Sequence, residues 1–199
     1  MPQLLLATTS AGKIRDLRLC LDGSGWDLLT PADVGLTLDV EELGTTYAEN
    51  ARLKAETYFQ SAGLPTIGED SGLEVDALGG APGLYSARWR GLPDGPIKNA
   101  EMLRELEGVP VSRRSCHYRC TIVLLGLDGY EHIFEGHCAG RIAFAPLGSG
   151  GFGFDPIVLI PRLNRTLAQL DDAERIAVNH RGRAARQLSG YLRRHGQSL

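Results

Sequence analysis

Cysteine is scarce. The 199 residues contain four, at positions 20, 116, 120 and 138, and no two form a CxxC pair. That argues against a disulfide framework in a chain of this size. Cys116, His117, Cys120, His137 and Cys138 fit no zinc-ligand spacing and read instead as small buried hydrophobes and their neighbours on strands. Long apolar runs are missing as well. No stretch approaches the 18 residues of a membrane span, and Leu4–Leu6 is too short for the apolar core of a signal peptide. There is no excess of positive charge: the net charge is −3, which speaks against nucleic acid as a partner. The expectation is a cytoplasmic protein with no membrane and no nucleic-acid partner.

What remains is ordinary for a folded chain: 43% hydrophobic and 23% charged residues. The length suits one domain over 1–199, or one domain with a lobe. Arginines crowd the last third (Arg162, Arg165, Arg175, Arg181, Arg183, Arg186, Arg193, Arg194), as either an anion site or a solvated helix face.

Local patterns alternate between strand and helix. Residues 3–7 read as a short buried strand, followed by a helix with Ile14, Leu17 and Leu21 on one face. A second helix opens with a capping box, Thr46 and Glu49, and stops near Gly63. Residues 65–68 read as a strand ending at the paired acids Glu69 and Asp70, on a turn, with Leu73, Val75 and Ala77 alternating beyond. Pro96 starts a helix with Ile97, Ala100, Leu103 and Leu106 at helical spacing. Residues 119–127 and 130–138 form a hairpin across Asp128-Gly129, and 156–160 a further strand. Helices over 171–178 and 183–195 close the chain, with His180-Arg181-Gly182 between them. The order predicts a mixed α/β sheet covered by helices.

Four stretches carry chemistry. In "TTSAGK", Thr8 to Lys13, a strand delivers hydroxyls, Gly12 and a lysine to a helix N-terminus, where amides and dipole favour an anion. The same stretch also reads as a plain Ser/Thr helix cap. Glu69-Asp70 and a second acidic pair, Glu41-Glu42, offer carboxylates from separate loops, as Mg²⁺ prefers, or are two solvated turns. "GSGGFGFDP", residues 148–156, gives close backbone approach and the rings of Phe152 and Phe154 for a nucleobase, with Asp155 to accept from a ring N–H; it is equally a glycine-rich turn with core phenylalanines. "NHRG", residues 179–182, supplies His180 and Arg181 as donors, or an exposed loop pair. Together the four describe a nucleotide-hydrolysing site.

The stretches "LLLATTSAGK", "YAENARLKA", "EDSGLEVDALGGAPGLYSARW", "GSGGFGFDPIV" and "NHRGRAARQL" run in this order from residue 4 to residue 188. In them the chain resembles the noncanonical purine nucleoside triphosphate pyrophosphatases, the Ham1/RdgB-like inosine triphosphatase family. The resemblance implies an elongated mixed α/β sheet with flanking helices, two lobes around a central cleft, a homodimer and Mg²⁺. It implies attack of water on ITP, dITP or XTP to give the monophosphate and pyrophosphate. By motif position Thr8, Thr9, Ser10, Ala11, Gly12 and Lys13 would hold the phosphates, with Lys54 and Ser71. Asp70 would be proton acceptor and metal ligand, with Glu42 the other acid at the metal. Phe152, Gly153, Phe154, Asp155, Arg175, His180 and Arg181 would receive the base. The chain departs from the family's usual residues at Ser10 (Asn), Glu69 (Asp), Phe154 (Tyr or Trp) and Arg175 (Lys).

Two rival readings differ in class. One is a Maf-like pyrophosphatase acting on other modified nucleotides, against which the GGAPGLYSAR and NHRG stretches stand. The other is a nucleotide sensor that does not hydrolyse, against which the complete acid set stands.

Overall fold

The computed structural model describes residues 1–195. Five helices and eight strands follow in the order β1 Gln3–Leu6, α1 Ala11–Leu21, β2 Asp27–Leu29, α2 Tyr47–Ala62, β3 Thr66–Val75, β4 Pro82–Gly83, α3 Pro96–Glu105, β5 Ser115–Leu125, β6 His132–Ile142, β7 Val158–Ile160, β8 Arg165–Thr166, α4 Asp172–Val178 and α5 His180–His195. All strands join one mixed sheet, in the order β2-β1-β3-β5-β6-β7-β8, with β4 added on β3. Strand β1 pairs parallel with β2 and β3, whereas β3–β4, β6–β7 and β7–β8 are antiparallel. The parallel centre explains the composition of β1: Leu4, Leu5 and Leu6 are all fully buried, and such a strand reads as a continuous apolar run. No helix among the described residues is long and apolar enough to cross a membrane.

The chain divides into two compact units. The first contains residues 1–70, 120–136 and the chain from Arg181 on; the second contains 71–119 and 137–180. The core of the first sets Leu4, Leu6, Leu17, Leu21 and Ile67 against Ile122, Leu124, Ala184, Leu188 and Leu192. The core of the second gathers Leu73, Val75, Met102, Leu106, Phe154, Ile157, Leu167 and Leu170. Cys116, Cys120 and Cys138 are buried and every cysteine is a free thiol, in keeping with their reading as small hydrophobes.

Several boundaries differ from the sequence expectation. Glu69 and Asp70 do not end a strand at a turn. They lie inside the ten-residue strand β3, which runs on through Ser71 and Gly72. The helix after Asn179 begins at His180, so His180, Arg181 and Gly182 form its first turn and are buried rather than linking two helices in solvent. Helix α3 turns Lys98, Asn99 and Met102 inward and leaves Ile97 exposed, because the core it meets lies one step round from the face that Ile97 and Ala100 suggested. At the start of α2 the Thr46 hydroxyl accepts from the Glu49 N–H, as expected of a cap. The Glu49 carboxylate, however, takes the Thr45 N–H at 2.6 Å and the Thr45 hydroxyl at 2.9 Å. Gly63 ends the helix at φ +66°, a backbone geometry that glycine adopts without strain. The 128–129 hairpin is present, with longer strands on both sides than the alternation indicated.

One polar cluster ties α5 to that hairpin. Tyr191 donates to Asp128 Oδ2 at 2.7 Å, and His132 Nε2 lies 2.9 Å from the same oxygen. The Tyr191 hydroxyl first, then His132, hold the Asp128 carboxyl down at about 2. A carboxyl lowered in the folded state stabilises above its ordinary value of 3.8 and loses that contribution as pH falls toward about 2. Asp128→Asn should therefore lower the urea midpoint at neutral pH, and the gap from wild type should close as pH is taken below 4. A gap that is the same at pH 7 and pH 3 would show that Asp128 does not act through its charge.

Candidate active site

In the first unit, strand β3 carries two adjacent acids, Glu69 and Asp70. Successive residues of a strand point to opposite faces, so the adjacent acids Glu69 and Asp70 serve different partners. Both are nearly fully buried.

On the Asp70 side the partners come from α2 and from the loop before it. Lys54 Nζ lies 3.1 Å from Asp70 Oδ1 and 2.5 Å from Glu42 Oε1, and it donates to the Glu69 carbonyl at 3.2 Å. Asn50 Nδ2 donates to Asp70 Oδ2 at 3.2 Å, while its oxygen accepts from the Gly44 N–H at 2.8 Å. One amide thus joins the loop of Glu42 to the strand of Asp70. Glycine at position 68 makes this possible. A Cβ there would stand 2.0 Å from the Ala51 carbonyl oxygen and 2.7 Å from the Ala55 nitrogen, so α2 lies with its backbone against the strand. Burial raises the Asp70 carboxyl above its ordinary value, against the pull of Lys54 and Lys13. The effect is a more basic carboxylate. Burial acts to lower the Lys54 ammonium, but Asp70 and Glu42 more than offset it and the net shift is upward.

On the Glu69 side the partners are Lys13 of α1 and Arg181 of α5. Lys13 Nζ is 2.8 Å from Glu69 Oε2. Arg181 places Nη2 3.1 Å from Glu69 Oε1 and Nη1 3.1 Å from Asp16 Oδ2. Cys120 Sγ donates to Glu69 Oε1 at 3.3 Å. Asp16, Glu69 and Arg181 have at most 3% of their side-chain surface exposed, so this is a buried chain of alternating charge. Across the two sides three cations meet four carboxylates, which leaves one excess negative charge.

The start of α1 behaves as an open helix end. Ser10 is its N-cap residue but makes no side-chain cap bond, and no acid stands in the first turn. The Ser10 N–H instead donates to Thr8 Oγ1 at 3.2 Å. First-turn amides without a side-chain cap suit an anion.

The second unit holds Ser71, Phe152, Gly153, Phe154, Asp155, Arg175 and His180. Phe154 is core, set edge-on to Trp89 at 6.1 Å between centroids, while Phe152 and Gly153 are half-buried. Asp155 turns into its own loop and accepts the Phe152 N–H at 3.0 Å; a Cβ on Gly151 would meet Asp155 Oδ2 at 2.0 Å. Arg175 is fully buried and pairs with Asp172 at 2.8 Å. The His180 ring stacks on Tyr118 at 4.4 Å and 5°.

Comparison with known proteins identifies the family. The Ham1 family profile matches residues 4–191. The chain belongs to the Ham1 family. Among Ham1 relatives, proteins named dITP/XTP pyrophosphatase are 39% identical over 194 residues in Bacillus licheniformis, covering 96% of this chain and 98% of that one. In Xylella fastidiosa the figure is 44% over 195 residues, covering 96% and 98%. The structure of a Ham1 protein from Coxiella burnetii superposes with a TM-score of 0.83 at 35% identity, covering 96% of this chain and 98% of the other. That of the Staphylococcus aureus Ham1 protein gives 0.80 at 33%, covering 96% and 97%.

In this Ham1 chain Glu42, Lys54 and Asp70 form one group, and Lys13 and Arg181 form another around Glu69. Arg181 places its terminal nitrogens on Asp16 and Glu69. Glu41 is exposed and stands apart from both groups. Asn50 and Asp16 were not foreseen. Asn50 had a signal, because it lies one helical turn before Lys54, on the same face. Asp16 lies off the apolar face of Ile14, Leu17 and Leu21, where an acid reads as solvated. Because the Arg181 guanidinium neutralises two buried acids, Arg181→Ala should cost about 3–5 kcal/mol in urea denaturation. A variant as stable as wild type would leave the guanidinium without this structural role.

Proposed function

We propose that this chain hydrolyses noncanonical purine nucleoside triphosphates (ITP, dITP, XTP) to the monophosphate and pyrophosphate, with Mg²⁺. The observation that carries the reading is the buried, basic carboxylate of Asp70, held by Lys54 and Asn50 beside Glu42. Asp70 takes a proton from water, the water oxygen attacks phosphorus, and the bond between the α- and β-phosphates breaks as pyrophosphate leaves. Lys13 at the open end of α1, with the amides of residues 11–13, takes charge on the phosphates; Lys54 and Ser71 add to it. The base is assigned to Phe152 to Asp155, Arg175, His180 and Arg181. Of these, half-buried Phe152 offers a more available ring than buried Phe154.

The donor set fits Mg²⁺. Among the described residues no three His, Cys, Asp or Glu side chains form a metal cage of their own. Glu42 and Asp70 together offer carboxylate oxygens in a region of excess negative charge, and Mg²⁺ is commonly held by one or two carboxylates with substrate phosphates. Bound there, it would neutralise charge developing on the phosphates. The family resemblance brings a homodimer and a cytoplasmic setting into the same reading.

Pyrophosphate release from ITP, XTP, dITP, ATP and GTP, with and without Mg²⁺, is the direct test. The first three should be turned over and only with the metal. Asp70→Asn should lose about 10²–10⁴-fold in turnover while its melting curve still shows a folded protein. Normal turnover by that variant would remove Asp70 from the chemistry, and equal rates on ATP and ITP would remove the selectivity.

A further inference from the structure

Lys54 is a phosphate ligand in the reading above, yet here its ammonium is already engaged. An ammonium has three donors and no acceptor. Nζ has three oxygens around it: Glu42 Oε1, Asp70 Oδ1 and the Glu69 carbonyl. Two of these belong to the carboxylates assigned to the metal. The lysine side chain is 11% exposed, its carboxylate partners 20% and 5%. Its stem rises from α2 where that helix lies against Gly68, so the backbone below it is fixed. A metal ion entering this group must take oxygens that now hold Nζ. An incoming triphosphate offers Nζ other oxygens, and so releases those of Glu42 and Asp70.

We propose that Lys54 is a resident cation that competes with the metal for Glu42 and Asp70. The two carboxylates are kept together in the metal-free protein, and the metal binds weakly until a triphosphate draws the ammonium away. Metal and triphosphate then bind with positive coupling, each raising the affinity for the other by the same factor. This inference rests on the assignment of Glu42 and Asp70 to the metal. Lys13 provides the contrast. It is also a cation close to Asp70, but its salt bridge is to Glu69 at 2.8 Å, and it holds neither metal-assigned carboxylate. A general effect of positive charge would appear at both lysines, whereas competition for oxygens would appear at Lys54 alone.

The experiment is Mn²⁺ binding to the intact protein without nucleotide, followed by electron paramagnetic resonance. Wild type, Lys54→Met, Lys54→Gln, Lys13→Met and the double variant Lys54→Met/Asp70→Asn are compared, each first shown to be folded by its melting curve. Either Lys54 substitution should tighten Mn²⁺ binding by about 5–150-fold, the usual span of such couplings. Lys13→Met should change it far less, and adding Asp70→Asn should abolish the gain. No tightening in the folded Lys54 variants, or equal tightening from Lys13→Met, overturns the proposal. Wild-type turnover measured alongside separates the two failures. If turnover needs a divalent ion while Lys54 variants bind Mn²⁺ no better, the metal assignment stands and the competition does not. If turnover needs no divalent ion, the assignment falls with it.

Discussion

The contact between α2 and β3 at Gly68 sets the geometry on which the Asp70 group depends. With no side chain at that point, the helix backbone comes down onto the strand, and any Cβ would collide with the Ala51 carbonyl. Asn50 and Lys54, one turn apart, flank this point of approach. They reach Asp70, two residues further along the strand, with hydrogen bonds of 3.1–3.2 Å. A bulkier residue at 68 would lift the helix, and a shift of one ångström is enough to break contacts of this length. Packing and chemistry are here one constraint: the closest backbone approach in this part of the core is also what buries the carboxylate and makes it more basic.

The alternation of a β-strand does the rest. Two neighbouring acids on a turn would share one environment, repel each other and face solvent. On opposite faces of β3 they are given different counterions, a lysine from α2 for Asp70 and a lysine and an arginine from α1 and α5 for Glu69. Buried ion pairs of this kind contribute little net stability, because desolvation consumes most of the attraction. Their effect is directional: each charged group has one arrangement that satisfies it.

Much of this was legible in the sequence, and the parts that were not share a cause. Strands and helices with local signals came through: the apolar run of β1, the Thr46 cap, the glycine stop at 63 and the 128–129 hairpin. The motif resemblance put Glu42 and Asp70 at one metal and Lys54 on phosphate; the structure brings the three side chains together. What failed depended on distant partners. Ser71-Gly72 reads as a turn locally, but the sheet carries the strand straight through it. His180-Arg181-Gly182 reads as a polar linker because a buried arginine makes sense only once its carboxylates are known, and these lie 165 and 112 residues away in the chain. Likewise, crowded arginines look like a solvated face, whereas Arg175 and Arg181 are among the most buried side chains present.

The position of Arg181 also bears on how the chain is made. Asp16 and Glu69 leave the ribosome first, and the guanidinium that neutralises both follows 165 and 112 residues later. Until then the first unit lacks the guanidinium for these acids, and it lacks the α5 residues Ala184, Leu188 and Leu192 that complete its core. The second unit, by contrast, is complete at residue 180. Vectorial synthesis usually favours the N-terminal part; here the unit holding residues 1–70 is the one that must wait, because α5 completes its core and its buried charge pairs.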